Sequence, residues 1–398
     1  MHSEMAAYCM AHNGWVPNID NPLGNFAEAG SNVYLRRELN SWEDSVKLRY
    51  GDTPDDCPYL WDRMQKYAIQ TAQIFHGIRL DNCHNTPIHV AERMVAECRA
   101  VRPDLYVMAE LFTPSQHYDN IYINRLGVNA MIREALGAVD ARNLSSRLVS
   151  HSSEPVGAFF QLPLRPLTSS LTHDILFDQT HDNPSIVDQR SILDVLPNAA
   201  LVAMAKCAVG STRGYDEVVP HHISVITESR LFRTWSTDDI CDSSNCVGIN
   251  TGIIAAKRAL NKLHWKLMIE GFSQTSVEHM TDDIVSVTRH NPVTHESIIL
   301  VAHTAFQRHD PDSGASFILS LPVQGRLSEV IVEAQVVVDT TKVFVPSEKH
   351  ICGLDNVQLT IHENIDISES QMISVQLQDN SQAIEFVRFP PGSVIAFR

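Results

Sequence analysis

Between Ile78 and Phe112 the chain passes twice from an apolar run into an acid, with one helical segment in between, and this repeat limits the possible folds more than any other feature. In the first run Ile78 and Leu80 alternate with Arg79 and Asp81, so a guanidinium and a carboxylate share one strand face. The second run, Leu105 to Phe112, is apolar on both faces until Glu110, as a strand buried on both sides of a parallel sheet must be. Between them Asn85 or Thr86 can cap a helix with Pro87 in its first turn. Ile88, Ala91, Val95 and Cys98 form its apolar face, and it ends before Pro103. Strand, helix and strand then make a right-handed crossover in a parallel sheet. Asp81 and Glu110 each fall at the C-terminal end of a strand, which in a (β/α)8 TIM barrel is the end that carries the active site.

The same order continues downstream. Gly127 to Ile132 predicts a short strand, followed by helix and loop to about Pro166. Ile175, Leu176 and Phe177 lead through Asp178 to Thr180, His181, Asp182 and Asn183, another strand ending in acid. Ala199 to Met204 is either the eighth strand or the helix before it. The Gly210 to Glu217 segment lacks the ending of a phosphate loop, so a loop at the barrel top fits better. Upstream, Leu60, Met64, Tyr67, Ala68 and Ala72 predict a helix over Asp56 to Gln73 that leads into the strand from Ile74 to Asp81. The first 70 or so residues are otherwise broken by turns at Asn13-Gly14, Asp20 to Gly24 and Gly51 to Pro54; Trp15, Tyr34, Trp42 and Tyr59 there are either a sugar-stacking platform or packing aromatics.

A closing helix is predicted over Thr251 to Met268, where Ile253, Ala256, Leu260, Leu263 and Leu267 recur at steps of three and four. From about residue 276 eight short strand-like runs without helices indicate an antiparallel β-sandwich: 284 to 288, 297 to 302, 315 to 321, 329 to 338, 357 to 361, 372 to 377, 383 to 389 and 393 to 397. Residues 1–275 are therefore expected to form a barrel domain and residues 276–398 a sandwich without a catalytic cluster.

Composition narrows the function. With 398 residues and 44% hydrophobic content the chain can bury a large core in two or three domains. It has no apolar run of about 18 residues, and Met1 to Cys9 lacks the basic start and apolar stretch of a signal peptide, so a cytoplasmic protein without a membrane partner is expected. A formal charge of −16 and the lack of a basic run argue against nucleic acid and for a neutral ligand. The eight cysteines are scattered, and Cys241 with Cys246 has no second pair to complete a zinc site. Reduced thiols, no metal and no cofactor are the expectation.

Three carboxylates, Asp81, Glu110 and Asp182, thus end separate strands, with Arg79 and His181 beside them. Cleaving an acetal needs one protonated carboxyl to assist the leaving oxygen and one ionised carboxylate to attack the anomeric carbon, a pair this set can supply. A nucleophilic Asp followed by an acid/base Glu retains the anomeric configuration through a glycosyl-enzyme. A third carboxylate is then available to bind sugar hydroxyls. Taken alone, Arg79 and Asp81 are equally an ordinary surface ion pair, His181 a satisfied core histidine, and Asp182-Asn183-Pro184 a turn cap.

Gly77 to Asp81, Ala109 to Phe112 and Thr180 to Asn183 resemble, in order and spacing, the motifs on strands four, five and seven of the alpha-amylase-type glycoside hydrolases. More narrowly, Arg79 to His84, Glu154 to Gly157 and Gly210 to Glu217 resemble the eukaryotic glycogen debranching enzymes, over essentially the whole chain. The resemblance implies Asp81 as nucleophile, Glu110 as general acid/base and Asp182 as transition-state stabiliser. Arg79 and His181 would hold the first subsite, with His84 a further substrate contact. It implies a 4-alpha-glucanotransferase acting on glycogen and alpha-1,4/alpha-1,6-glucan oligosaccharides; a plain alpha-glucan hydrolase and a non-catalytic glycan-binding fragment are the alternatives. No Asp and Asn-His motif of a third barrel strand precedes Asp81, so the opening strands of the barrel are expected to be missing from an internal fragment.

Overall fold

The computed structural model describes residues 50–113, 116–152, 172–224, 227–237, 246–306, 320–323, 325–378 and 381–398. The turns and aromatics expected before residue 50, the Glu154 to Gly157 motif, and most of the strand expected over 315 to 321 lie outside them. Tyr59 is described and is 80% exposed. The chain divides into two compact units: Met1–Ile132 with Glu154–Asp174, and Arg133–Ser153 with Ile175–Arg398.

In the first unit helix α1 (Pro58–Ile74) leads to β1 (Gly77–Leu80), α2 (Ile88–Val101), β2 (Tyr106–Ala109), α3 (Gln116–Leu126) and the start of β3 (Ala130–Glu134). β1 pairs with β2 in parallel, Arg79 opposite Met108 and Leu80 opposite Ala109, and β2 pairs with β3 in parallel. Val107, Ala109 and Leu111 are fully buried in one core with Ile88, Ala91, Val95 and Cys98 of α2 and Tyr122 and Leu126 of α3. The helix therefore buries the face that its spacing predicts. Its start differs: Cys83–Asn85 forms a short 3-10 turn, and Pro87 is the N-cap with no side-chain cap bond. A residue before proline is driven into the extended region, and Thr86 (φ −96°, ψ 132°) obeys that constraint instead of capping.

The second unit contains α4 (Ala141–Ser152), β4 (His173–Phe177) from Ile175 onward, α5 (Val195–Ala203), β5 (Ala208–Gly210) and α6 (Gly252–Ile269). β4 and β5 pair in parallel. The ambiguous Ala199 to Met204 segment is helical; every residue of α5 is buried, so no polar face exists for periodicity to reveal. α6 buries Ala256, Leu260, Leu263 and Leu267 as its spacing predicts.

The rest of this unit is antiparallel. Strands β6 (Gln274–His279), β7 (Ile284–His290), β8 (Ser297–His303), β10 (Val330–Val338), β11 (Val357–Ile365) and β14 (Ser393–Phe397) form one sheet in the order β11-β10-β14-β8-β7-β6. β9 (Leu321–Val323), β12 (Ile373–Gln378) and β13 (Ser381–Phe386) form a smaller one, and Ile373 and Ile384 share a core with Ile284, Val301, Val330, Ile395 and Phe397 of the large sheet. The other face of the large sheet packs its valines and alanines on α5 and α6. Arg289 of β7, only 1% exposed, gives its guanidinium protons to the carbonyls of Met204 and Ala205 past the end of α5 and to that of Phe272. Burial pushes it down to about 10, so it stays cationic where a helix C-terminus favours a cation.

Cys57, Cys83, Cys98, Cys207 and Cys352 are reduced thiols, as expected, whereas Cys246 is disulfide-bonded. Among the described residues no helix is long and apolar enough to cross a membrane, and no group of three or more His, Cys, Asp or Glu is placed to hold a metal ion.

One largely buried lysine ties this unit's helix to its strand ends. Lys257 of α6 donates to Asp178, just past β4, at 2.7 Å and to Asp216, in the turn after β5, at 2.9 Å. Burial alone would lower its ammonium, but the two carboxylates outweigh that and hold it above its ordinary value. Lys257→Met leaves two buried carboxylates facing each other and is expected to cost about 3–5 kcal/mol, read as a lower urea midpoint. A variant within about 0.5 kcal/mol of the parent, the range of an ordinary surface change, would show that the lysine does not hold these segments.

Candidate active site

β1 and β2 run side by side and stop together, so the residues that follow them meet. The Glu110 N–H donates to the Leu80 carbonyl at 3.0 Å, and the Cys83 N–H donates to the Glu110 carbonyl at 2.9 Å. The turn between is made at Asn82, which takes the left-handed conformation (φ 49°), one of the few that asparagine tolerates. Its N–H consequently points at the Glu110 carboxylate, 3.0 Å from Oε2. The backbone thus presents Asp81 and Glu110 as neighbours.

Arg79 joins them. Its Nη1 lies 2.5 Å from Asp81 Oδ1 and its Nη2 lies 2.6 Å from Glu110 Oε2. The spacing places Arg79 beside Asp81; in the structure the guanidinium spans both carboxylates. The two acids differ in exposure, the Asp81 side chain being 62% exposed and that of Glu110 only 14%. Burial, above all, pushes the Glu110 carboxyl up to about 7; the neighbouring Asp81 adds to the rise, and the Asn82 N–H and Arg79 oppose it. One member of the pair therefore holds a proton near neutrality while it faces a second carboxyl.

His84 sits beside this pair. Its Nδ1 accepts the Phe112 N–H at 3.4 Å, and its ring meets the exposed Phe112 ring edge-on, centroids 6.1 Å apart. Cys83, next to Asp81 in the turn, is buried and its thiol is pushed up to about 12 by that burial and by Glu110, so it is no nucleophile at neutral pH.

The third carboxylate belongs to the other unit. β4 ends at Phe177, so Asp182 stands in the turn beyond it and not on the strand. His181 Nε2 lies 3.2 Å from Asp182 Oδ1, and both side chains are about two-fifths exposed, at 42% and 38%. The segment before them is well held. Asn198 donates to the Asp178 carbonyl at 2.8 Å, Thr212 Oγ1 to the Gln179 carbonyl at 3.1 Å, and Gln179 Nε2 to the Pro184 carbonyl at 3.0 Å.

One acid of this neighbourhood is absent from the sequence-based set. β3 ends at Glu134, two residues beyond the expected strand, and its carboxylate accepts the Thr180 N–H at 2.7 Å and the Asn183 amide. Burial raises it above the usual carboxylate range. The signal was available: Ala130, Met131 and Ile132 run into Arg133 and Glu134 just as Ile78 to Leu80 run into Asp81.

Comparison with known proteins gives the same direction at both ends of the chain. A family model for the glycogen debranching enzyme, glucanotransferase domain, matches residues 1–106. Another, for the central domain of human glycogen debranching enzyme, matches residues 252–398. The glycogen debranching enzyme of Saccharomyces cerevisiae is 36% identical in an alignment 346 residues long that covers 78% of this chain and 21% of that protein. The chain thus spans about a fifth of the length of this relative. The crystal structure of alpha-amylase from H. orenii aligns with a TM-score of 0.54 over 89% of this chain and 66% of that one, at 12% identity. That likeness speaks to the fold alone, and the fold is of the amylase type. The two family models match different stretches of the chain, and with the yeast relative they show that it is similar to glycogen debranching enzymes at both ends.

Proposed function

We propose that this protein is a 4-alpha-glucanotransferase that moves short maltooligosaccharyl segments between alpha-1,4-glucan chains of glycogen, by two displacements with net retention. The observation that carries the reading is Glu110, buried, held near 7 and joined through Arg79 to an exposed Asp81. Two similar side chains that differ this much in burial can divide the roles of acid and nucleophile between them.

In the first displacement an Asp81 oxygen attacks the anomeric carbon, the glycosidic bond breaks, and Glu110 gives its proton to the departing oxygen. In the second, Glu110 takes the proton of an acceptor sugar hydroxyl as that oxygen attacks the same carbon and frees Asp81. Arg79 aims both carboxylates, and its planar fork touches each through a different nitrogen. Asp182 holds sugar hydroxyls in the distorted transition state, with Arg79 and His181 at the first subsite and His84 as a further contact. The barrel reading of residues 1–275, the sandwich reading of 276–398 and a cytoplasmic location belong to the same proposal. Product analysis separates transfer from hydrolysis: transfer gives longer and shorter chains at constant reducing ends, and hydrolysis raises the reducing ends.

Two expectations follow from Glu110 and Arg79. Glu110 is protonated below about 7 and loses its proton as pH rises through that value, so turnover of natural glucan by the full-length protein should fall on the alkaline side of about 7. A glycosyl fluoride donor needs no leaving-group proton, so Glu110→Gln should slow glucan turnover far more than turnover of the fluoride. Equal losses on both donors would remove Glu110 from the acid role.

Arg79→Lys keeps the charge but cannot span two carboxylates with a planar fork. A fall in turnover on the order of a hundredfold at saturating glucan, the effect of a misplacement of about 1 Å, is expected with little change in thermal midpoint. An active variant, or one inactive only because it unfolds, would remove Arg79 from the site.

A further inference from the structure

We propose that Glu134 is a positioning residue that clamps the turn carrying His181 and Asp182, so that its carboxylate, without touching substrate, sets where the third acid of the site stands. The proposal deepens the functional reading above and rests on it for the role of Asp182. Its geometric basis is the pattern of bonds to the turn. One Glu134 oxygen accepts the backbone N–H of Thr180 at 2.7 Å, and the other accepts the side-chain amide of Asn183. These two contacts fall on the residues immediately before and after His181-Asp182. The pair is thus carried on a turn closed at both ends by one carboxylate.

The backbone on either side of this turn is anchored separately. The β4 extension is held up to Gln179: the Ala135 and Leu136 N–H groups donate to the carbonyls of Phe177 and Asp178, and Thr212 donates to that of Gln179. After the turn, the Ile186 N–H reaches the Gln179 side chain at 3.2 Å. Between these anchors Glu134, together with the Gln179 amide on Pro184, ties the turn to the rest of its unit. Glu134 is itself fixed, because its backbone carbonyl accepts from Arg147 and its strand continues directly into Ala135 and Leu136. A carboxylate is the one side chain with two acceptor oxygens at this spacing and no donor, and it therefore serves two donors at once.

The test uses the full-length protein and two readouts. Hydrogen exchange reports the clamp without reference to activity: Glu134→Ala should speed exchange of the Thr180 amide on the order of tenfold or more, while the β4 amides of Ile175 to Phe177 keep their protection. Unchanged exchange at Thr180, or loss of protection throughout β4, overturns the clamp. Turnover reports its consequence. Asn183→Asp sets two carboxylates face to face and should lower kcat on the order of tenfold or more with KM nearly unchanged. Adding Glu134→Gln turns the pair into an amide facing a carboxylate with Thr180 still served, and should recover most of that loss. Losses that add in the double variant, or an Asn183→Asp enzyme with parental kcat, overturn the positioning role. A parent protein with a slow Thr180 amide and no action on alpha-glucan would instead overturn the functional reading and leave the clamp standing.

Discussion

One guanidinium between two carboxylates is the interaction on which the site depends. Arg79 meets Asp81 and Glu110 within 2.5 and 2.6 Å, and only a side chain with several donors in one plane reaches both. The strands make this possible. In a parallel pair the chain direction is shared, so residues that follow β1 and β2 emerge at the same end, and the left-handed turn at Asn82 aims an N–H at the more buried acid. The asymmetry in burial then separates the two carboxyls chemically. Glu110 is raised toward neutrality by loss of water, and Asp81 keeps its hydration. Arg79 limits that rise, since without a cation two acids at this distance would hold one proton between them well above the range useful at neutral pH.

The second unit solves a related problem by different means. Its strand ends also carry acids, but Asp178 and Asp216 converge on Lys257, whose side chain is only 14% exposed, and form a structural pin between helix α6 and the segments after β4 and β5. Such a pin adds little net stability against an apolar equivalent, yet it defines one geometry for the segments it joins. Arg289 does the same with carbonyl oxygens in place of carboxylates. His181 and Asp182 stand at the outer end of this framework, half-exposed, where a ligand can reach them.

Much of this was legible in the residues. The amphipathic spacing of α2 and α6 and the antiparallel runs after residue 276 reflect burial patterns that side-chain polarity reports directly. The two-sided apolarity of β2 does not: Val107 and Ala109 are buried, but Tyr106 on the other face is exposed and Met108 only half-buried, so the strand covers one face alone. What was not legible has specific causes. α5 is buried all round, so its helical period leaves no trace in polarity. β6 (Gln274–His279) matches none of the eight expected runs, because its alternating polar residues look like loop. Glu134 escaped notice because the strand that delivers it runs two residues further than its apolar stretch, and the double role of Arg79 depends on a tertiary neighbour 31 residues away. Local sequence gave Arg79 and Asp81 as a pair; only the register of β1 on β2 adds Glu110 to it.

The central claim is that Asp81 is the carboxylate that attacks carbon, with Glu110 as its proton partner. The most direct measurement traps the intermediate: the full-length Glu110→Gln protein is incubated with a fluorinated alpha-glycosyl fluoride, digested, and mapped by mass spectrometry. The account predicts a single glycosyl ester, on the peptide that contains Asp81. An ester on another carboxylate, such as Asp182 or Glu134, or consumption of the donor with no ester formed, would contradict it.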